Sequence, residues 1–226
     1  MDHSEFDMRV ADLPQRGHRS QALVHAIDDA LPAALVRRAR AAIARIGNER
    51  LRQSYFTTFW LPRGTPPSHA VEEAVLALWA LALPRRCAGA EWWIGRAFTS
   101  SIPIGFHFDQ DVKGKRLRHP RISSVFFFNA VRGGQLAVTD QVPGAPEALR
   151  LATVAPRRNR YAFFRGNLLH GVLDARGNTP GARLRGPPGR MRVTLVVNFW
   201  ESRPTGVPTW TESGIYRLLR ARAGRY

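Results

Sequence analysis

Gly189-Arg190-Met191-Arg192-Val193-Thr194-Leu195-Val196-Val197-Asn198-Phe199-Trp200 is the stretch on which the fold turns. Successive side chains of an extended strand point to opposite faces, so Val193, Leu195, Val197 and Phe199 share one face while Arg192 and Thr194 share the other. An arginine directed into an apolar interior is costly unless an anion meets it, and a guanidinium grips a carboxylate through two parallel bonds. The alternative is an arginine at a strand mouth, bonded to an internal acid or to water.

The same grammar extends back to Glu91. Short runs rich in β-formers cover 92–100, 104–108, 122–130, 135–139, 149–154, 161–164, 168–173 and 191–200. Arg132-Gly133-Gly134, Pro143-Gly144, Gly166-Asn167 and the Gly/Pro/Arg-rich stretch 176–189 separate them as turns or loops. About eight short strands behind a helical preface suggest a sandwich or barrel of the jelly-roll kind. Periodicity alone does not choose among all-β topologies.

Upstream, residues 1–20 are polar and read as an N-terminal arm, and 22–27 as a short strand. A helix starts near Pro32, with Leu35, Val36, Ala39, Ile43 and Ile46 on one face and Gly47 as its stop. A second begins after Ser68, an N-cap candidate, and ends before Pro84, with Val71, Val75, Leu78, Trp79 and Ala82 suited to packing on a sheet. Both helices read as structural support. The expected organisation is a single domain over 21–226: a helical preface at 21–90, a β core at 91–201 and a C-terminal tail at 202–226.

Composition narrows the class. The 226 residues can bury a sizeable core, and 44% hydrophobic with 23% charged is ordinary for a globular enzyme. Nothing at the start reads as a secretion signal, and the longest apolar run, 74–83, is about half of what a membrane span needs. A soluble, cytoplasmic protein is expected, with no membrane partner. Cys87 is the single cysteine, which rules out an internal disulfide and a thiolate metal cage. The net charge is +17, and all but two of the 34 basic residues are arginine. This balance favours anionic partners, but the arginines are scattered rather than clustered as in a dedicated nucleic-acid surface.

Two segments carry candidate ligands. In Ile104-Gly105-Phe106-His107-Phe108-Asp109, an extended chain would turn His107 and Asp109 to one point, with Phe106 and Phe108 in the core behind them. In Tyr161-Ala162-Phe163-Phe164-Arg165-Gly166-Asn167-Leu168-Leu169-His170-Gly171-Val172, a strand runs into a glycine turn and a further strand carries His170. Each histidine alone could be a core residue bonded to backbone. Two histidines and one carboxylate together make a facial triad with three metal positions open, although zinc accepts the same donors.

The order His107-x-Asp109, about sixty residues, His170, about twenty residues, Arg192-x-Thr194 resembles the pattern of non-haem iron(II), 2-oxoglutarate-dependent oxygenases, in the prolyl-hydroxylase-like layout. Gly133-Gly134-Gln135-Leu136 is similar to a Gly-Gly turn and strand that this family places between its metal-binding segments. The resemblance spans roughly 92–200. It implies a mainly β, double-stranded β-helix braced by N-terminal helices, with iron(II) held by His107, Asp109 and His170 as the catalytic centre. It also implies 2-oxoglutarate and O2 as co-substrates, Arg192 on the distal carboxylate and Thr194 beside it. Stretch 176–189 is longer than many members have there, which leaves Arg190 as a rival to Arg192 and suggests a lid or contact loop.

Asp109 in place of a small residue argues for hydroxylation over chlorination. Trp93, Phe98, Ser100, Ser101, Gln135, Thr139 and Asn198 are candidates to line the mouth. The expected substrate is a small molecule, anionic or bound to a carrier protein. Oxidative demethylation of nucleic acid is the second reading, disfavoured because the last strand lacks the Arg-x-Asn-x-Thr-x-Arg string of that branch. A metal- or ligand-binding jelly roll without activity is the third.

Overall fold

The computed structural model describes residues 22–47, 57–98, 105–113, 116–179 and 191–213. Strands β1 (Val24–Ile27), β2 (Phe59–Pro62), β3 (Gly89–Phe98), β6 (Ile122–Phe127), β9 (Arg160–Arg165) and β11 (Met191–Trp200) form an antiparallel sheet in the order β1-β9-β6-β11-β3-β2. Strands β7 (Gln135–Thr139), β8 (Leu151–Val154) and β10 (His170–Leu173) form a smaller sheet, β10-β7-β8, and β4 (Asp111–Lys113) pairs β5 (Arg116–Arg118) as a hairpin.

The parity read from the last strand is the parity found. Leu195, Val197 and Phe199 of β11 are buried with Ile94, Trp92, Phe126 and Tyr161 against helices α1 (Ala33–Ile46) and α2 (Ala70–Ala82). The opposite face of the large sheet packs on the small one. Val125, Phe127, Ala162 and Phe164 meet Leu136, Val138 and Val154 there, with Val196 alongside. Two sheets with an apolar filling between them make the expected jelly roll, braced on one side by helices.

Helix α1 buries Leu35, Val36, Ala39, Ala42, Ile43 and Ile46, one stripe at helical spacing, and Gly47 stops it at φ 82°. Helix α2 corrects the expected cap. His69, not Ser68, is the N-cap, its Nδ1 accepting the Glu72 N–H at 3.2 Å. Ser68 instead donates its N–H and hydroxyl to the Glu72 carboxylate, both at 2.8 Å, which satisfies a buried acid. Gly133 and Gly134 both have positive φ, 80° and 70°, as the turn into β7 requires.

Three strands escaped the sequence reading: β2, β4 and β5. Phe59-Trp60-Leu61-Pro62 is too short to show a period, and the described part of the region taken as a helical preface therefore adds both β1 and β2 to the large sheet. The C-terminal segment is docked as far as it is described. Trp210, in the short helix α3 (Trp210–Ser213), is 3% exposed and its ring lies on Phe59, His69 and Trp92. No helix among the described residues is long and apolar enough to cross a membrane.

Candidate metal centre

Residues 63 positions apart in sequence meet here as a cross-strand pair. The expected strand over 104–108 is absent among its described residues: only His107 forms a bridge, and Ile104 lies outside the described residues. That bridge pairs His107 with His170 at the edge of the small sheet, with His107 N–H donating to His170 O at 2.8 Å and His170 N–H to His107 O at 3.0 Å. Residues exchanging both bonds sit directly opposite each other, so the two imidazoles lie side by side with ring centroids 4.5 Å apart. Gly171 permits the approach, since a Cβ there would meet the Phe106 backbone at 3.1 Å. Phe106 and Phe108 are only half-buried, not in the core as expected, because beyond the bridge the chain leaves the sheet.

Asp109 completes the cluster. His107 Nε2 is 3.6 Å from one carboxylate oxygen and His170 Nε2 is 3.5 Å from the other, and all three ligand atoms lie within 4.8 Å of one another. Among the described residues no other three His, Cys, Asp or Glu side chains gather so closely. Each imidazole is oriented from behind. His107 Nδ1 faces Gly105 O and His170 Nδ1 faces Leu168 O, both at 3.0 Å. A carbonyl can only accept, so Nδ1 carries the proton in each ring and Nε2 offers its lone pair to the common centre. Ser123 donates its hydroxyl to Asp109 Oδ2 at 2.6 Å.

The three charges are coupled, and a bound cation would displace any proton that Asp109 holds on the His107 ring. Burial alone would raise the Asp109 pKa, but the His170 and His107 imidazoles and the Ser123 bond hold it well below the usual carboxylate range. Burial pushes the His170 pKa down, only partly offset by Asp109. His107 is also desolvated, yet the Asp109 bond and charge carry its pKa above the ordinary value. The site opens on one side, where the His107 side chain is 44% exposed against 9% for His170.

The donor set fits a divalent ion. Two ligands about 2.1 Å from a metal at a right angle are about 3 Å apart, so the His–Asp separations of 3.6 and 3.5 Å are about half an ångström wider than a closed site and would draw in around an ion. A facial arrangement of two imidazoles and a carboxylate leaves the remaining positions open.

Further along the inner face of β11, Arg192 is 4% exposed, its guanidinium 5.2 Å above the centre of the Phe127 ring. Thr194 is fully buried, its hydroxyl donating to Gly95 O at 3.4 Å; a Cβ on Gly95 would stand 2.5 Å from that oxygen, so the pair needs glycine. Arg190, the rival arginine, lies outside the described residues, as do Ser100 and Ser101 and most of stretch 176–189. Thr139 is not a mouth residue: it is fully buried and donates to Leu169 O, which sets the turn into His170. Asn198 does face the inter-sheet side and is 2% exposed.

No protein-family model matches the sequence, and no curated protein does. The likeness is structural. Prolyl-4-hydroxylase from Pseudomonas putida is 20% identical, with 80% of this chain and 94% of that chain covered and a TM-score of 0.49. HygX from Streptomyces hygroscopicus, solved with nickel and 2-oxoglutarate bound, is 15% identical, with 83% and 84% covered and a TM-score of 0.48. SnoN, a non-haem α-ketoglutarate-dependent epimerase from nogalamycin biosynthesis, is 12% identical, with 82% of each chain covered and a TM-score of 0.50. The fold is a double-stranded β-helix, shared with these structures.

Three polar groups near the centre were missed in the sequence. Ser123 stands in Ile122-Ser123-Ser124-Val125-Phe126, where a hydroxyl inside an apolar strand was the available signal. Glu91 and Trp200 are diagonal neighbours on β3 and β11, Trp200 Nε1 donating to Glu91 Oε2 at 3.0 Å. Burial raises the Glu91 pKa to about 7; bonds from Thr58 and Trp200 work against it, and the Asp109 and Asp111 charges add to it.

Glu91 therefore predicts a pH dependence. Its folded-state pKa is above the unfolded value, so the folded protein holds the proton longer. Stability of the metal-free protein should fall as pH rises from about 4.5 to about 7, by up to about 3 kcal/mol from this group, and then level off. Glu91→Gln should remove most of that slope, which urea midpoints at pH 5 and pH 8 would reveal. An unchanged slope in the variant would place the sensitivity elsewhere.

Proposed function

We propose that this chain is an iron(II)- and 2-oxoglutarate-dependent oxygenase that hydroxylates a small molecule, such as an amino acid or a biosynthetic intermediate, free or carrier-bound. Residues 21–226 would act as one catalytic unit. The observation that carries this is the His107–Asp109–His170 cluster at an open edge of a double-stranded β-helix, each imidazole presenting Nε2 to one point. Retention of the carboxylate supports an oxygen-derived outcome over halogenation.

Iron(II) with 2-oxoglutarate supplies the oxidant, as the keto acid is decarboxylated to succinate and O2 is reduced. The protein supplies geometry. His107, Asp109 and His170 would hold the ion, with the Gly105 and Leu168 carbonyls and the Ser123 hydroxyl keeping their lone pairs on target. Arg192 would hold the distal carboxylate of 2-oxoglutarate, where burial makes a charge-assisted bond worth more than at a surface. Thr194, on the same face, is the proposed neighbour of that carboxylate. Phe127 and Phe164, buried in the inter-sheet filling, exclude water from the cleft behind the centre.

The test is succinate release from 2-oxoglutarate by the iron-loaded full chain in air. Even without substrate, a slow iron-dependent release above the metal-free control is expected. A protein that binds iron(II) stoichiometrically at the triad yet releases no succinate, alone or with amino-acid and carrier-bound candidates, would instead be a binding jelly roll. Methylated DNA or RNA oligomers should bind in a strongly salt-dependent way without stimulating release. Methyl-specific stimulation would move the assignment to nucleic-acid demethylation.

A further inference from the structure

A cavity of about 640 Å³ is bounded by β5, the residues leading into β6 and the ends of β9 and β11. Four arginines line it: Arg116, Arg118, Arg121 and Arg165. Arg118 is bonded to Asp111 and Arg121 to Glu201, so their charges are largely matched. Arg116 and Arg165 are exposed and have no acidic partner among the described residues. Two uncompensated guanidiniums thus share one concave wall with the neutral polar groups of Asn167 and Ser202.

One lining residue ties the cavity to the proposed chemistry. Its wall includes His119, whose Nδ1 donates to Asp109 O at 2.7 Å. Arg121 stands two residues before Ser123, the group bonded to Asp109, a step of about 7 Å along an extended chain.

We propose that this cavity is a subsite for a phosphate monoester carried by the substrate. The proposal rests on the oxygenase reading for the word substrate, and on the cavity alone for the phosphate. Two unmatched guanidiniums balance a dianion, whereas one would suffice for a carboxylate, and the planar fork fits phosphate oxygens in pairs. A single concavity suits one terminal phosphate. A nucleic-acid backbone needs a track of several phosphate contacts.

The test uses inorganic phosphate as the probe, followed by ³¹P NMR on the chelator-treated full chain. Saturable binding is expected, weakened at least tenfold in the Arg116→Glu/Arg165→Glu double variant. It should be unchanged in Arg38→Glu, a surface arginine on α1 that pairs with Glu73. Equal affinity in the double variant and the parent overturns the proposal, as does displacement of phosphate by an unphosphorylated duplex oligomer at lower concentration than by phenyl phosphate. Manganese(II) then reports proximity: its uptake should broaden the line of bound phosphate in the parent but not in a His107→Ala/His170→Ala blank. Manganese uptake without broadening detaches the cavity from the centre and overturns the substrate assignment. Failure to take up manganese would count against the oxygenase reading, while the phosphate affinities would still decide this one.

Discussion

His107→Ala should fold normally, lose stoichiometric iron(II) binding and drop turnover roughly a thousandfold or more, because a missing ligand leaves two donors that cannot hold the metal in catalytic geometry. The fold should survive for a specific reason. The bridge to His170 runs through backbone atoms, which alanine keeps, and the imidazole interacts only locally, with the Gly105 carbonyl two residues before it and the Asp109 carboxylate two residues after it. The side chain is also the exposed member of the cluster, so its removal opens no cavity. His170→Ala would read less cleanly, since His170 is buried against the Phe164 ring. Anaerobic iron(II) titration beside circular dichroism would check both halves. Normal turnover with undiminished iron binding in His107→Ala would remove the assignment.

Arg192→Ala should raise the 2-oxoglutarate concentration for half-maximal succinate release at least tenfold, equivalent to about 1.4 kcal/mol of binding, and Arg190→Ala should change it little. Arg190 and Arg192 share a face by parity, but two strand residues are about 6.7 Å apart along the chain, too far to exchange roles without moving the co-substrate off the metal. Arg192 is buried over Phe127 on the inter-sheet face, where water competes poorly for its guanidinium. Loss of a buried charge-assisted bond costs more than loss of an exposed one. Should Arg190→Ala be the impaired variant, the register of the last strand relative to the co-substrate is two residues off, and Thr194 loses its proposed role as well.

Much of the architecture was legible because burial writes itself into period. Val193, Leu195, Val197 and Phe199 alternate because one face of β11 packs on the helices, and the strand runs from Met191 to Trp200 as expected. β7 likewise occupies the expected 135–139, since Gly133-Gly134 can only be a turn there. The stripe of α1 needed nothing beyond helical spacing. Where the sequence lacked a period it misled. The aromatic run 104–108 looks like a strand, yet among its described residues only His107 pairs. Asp111–Lys113 and Arg116–Arg118, three residues each, offered no alternation to find.

The sequence by itself determined which residue types were available for chemistry and in what order: a His-x-Asp, a later histidine and an arginine on an apolar strand. It also determined which strand faces were apolar, because two-residue parity is local. Only the tertiary structure decided that His107 and His170 stand opposite each other, that Ser123 holds Asp109, and that Glu91 is buried within reach of the Asp109 charge. It also decided that four arginines scattered over fifty positions line one cavity. The reason is physical: strand pairing and sheet packing join residues far apart in the chain, and no local period records which partner a strand will meet.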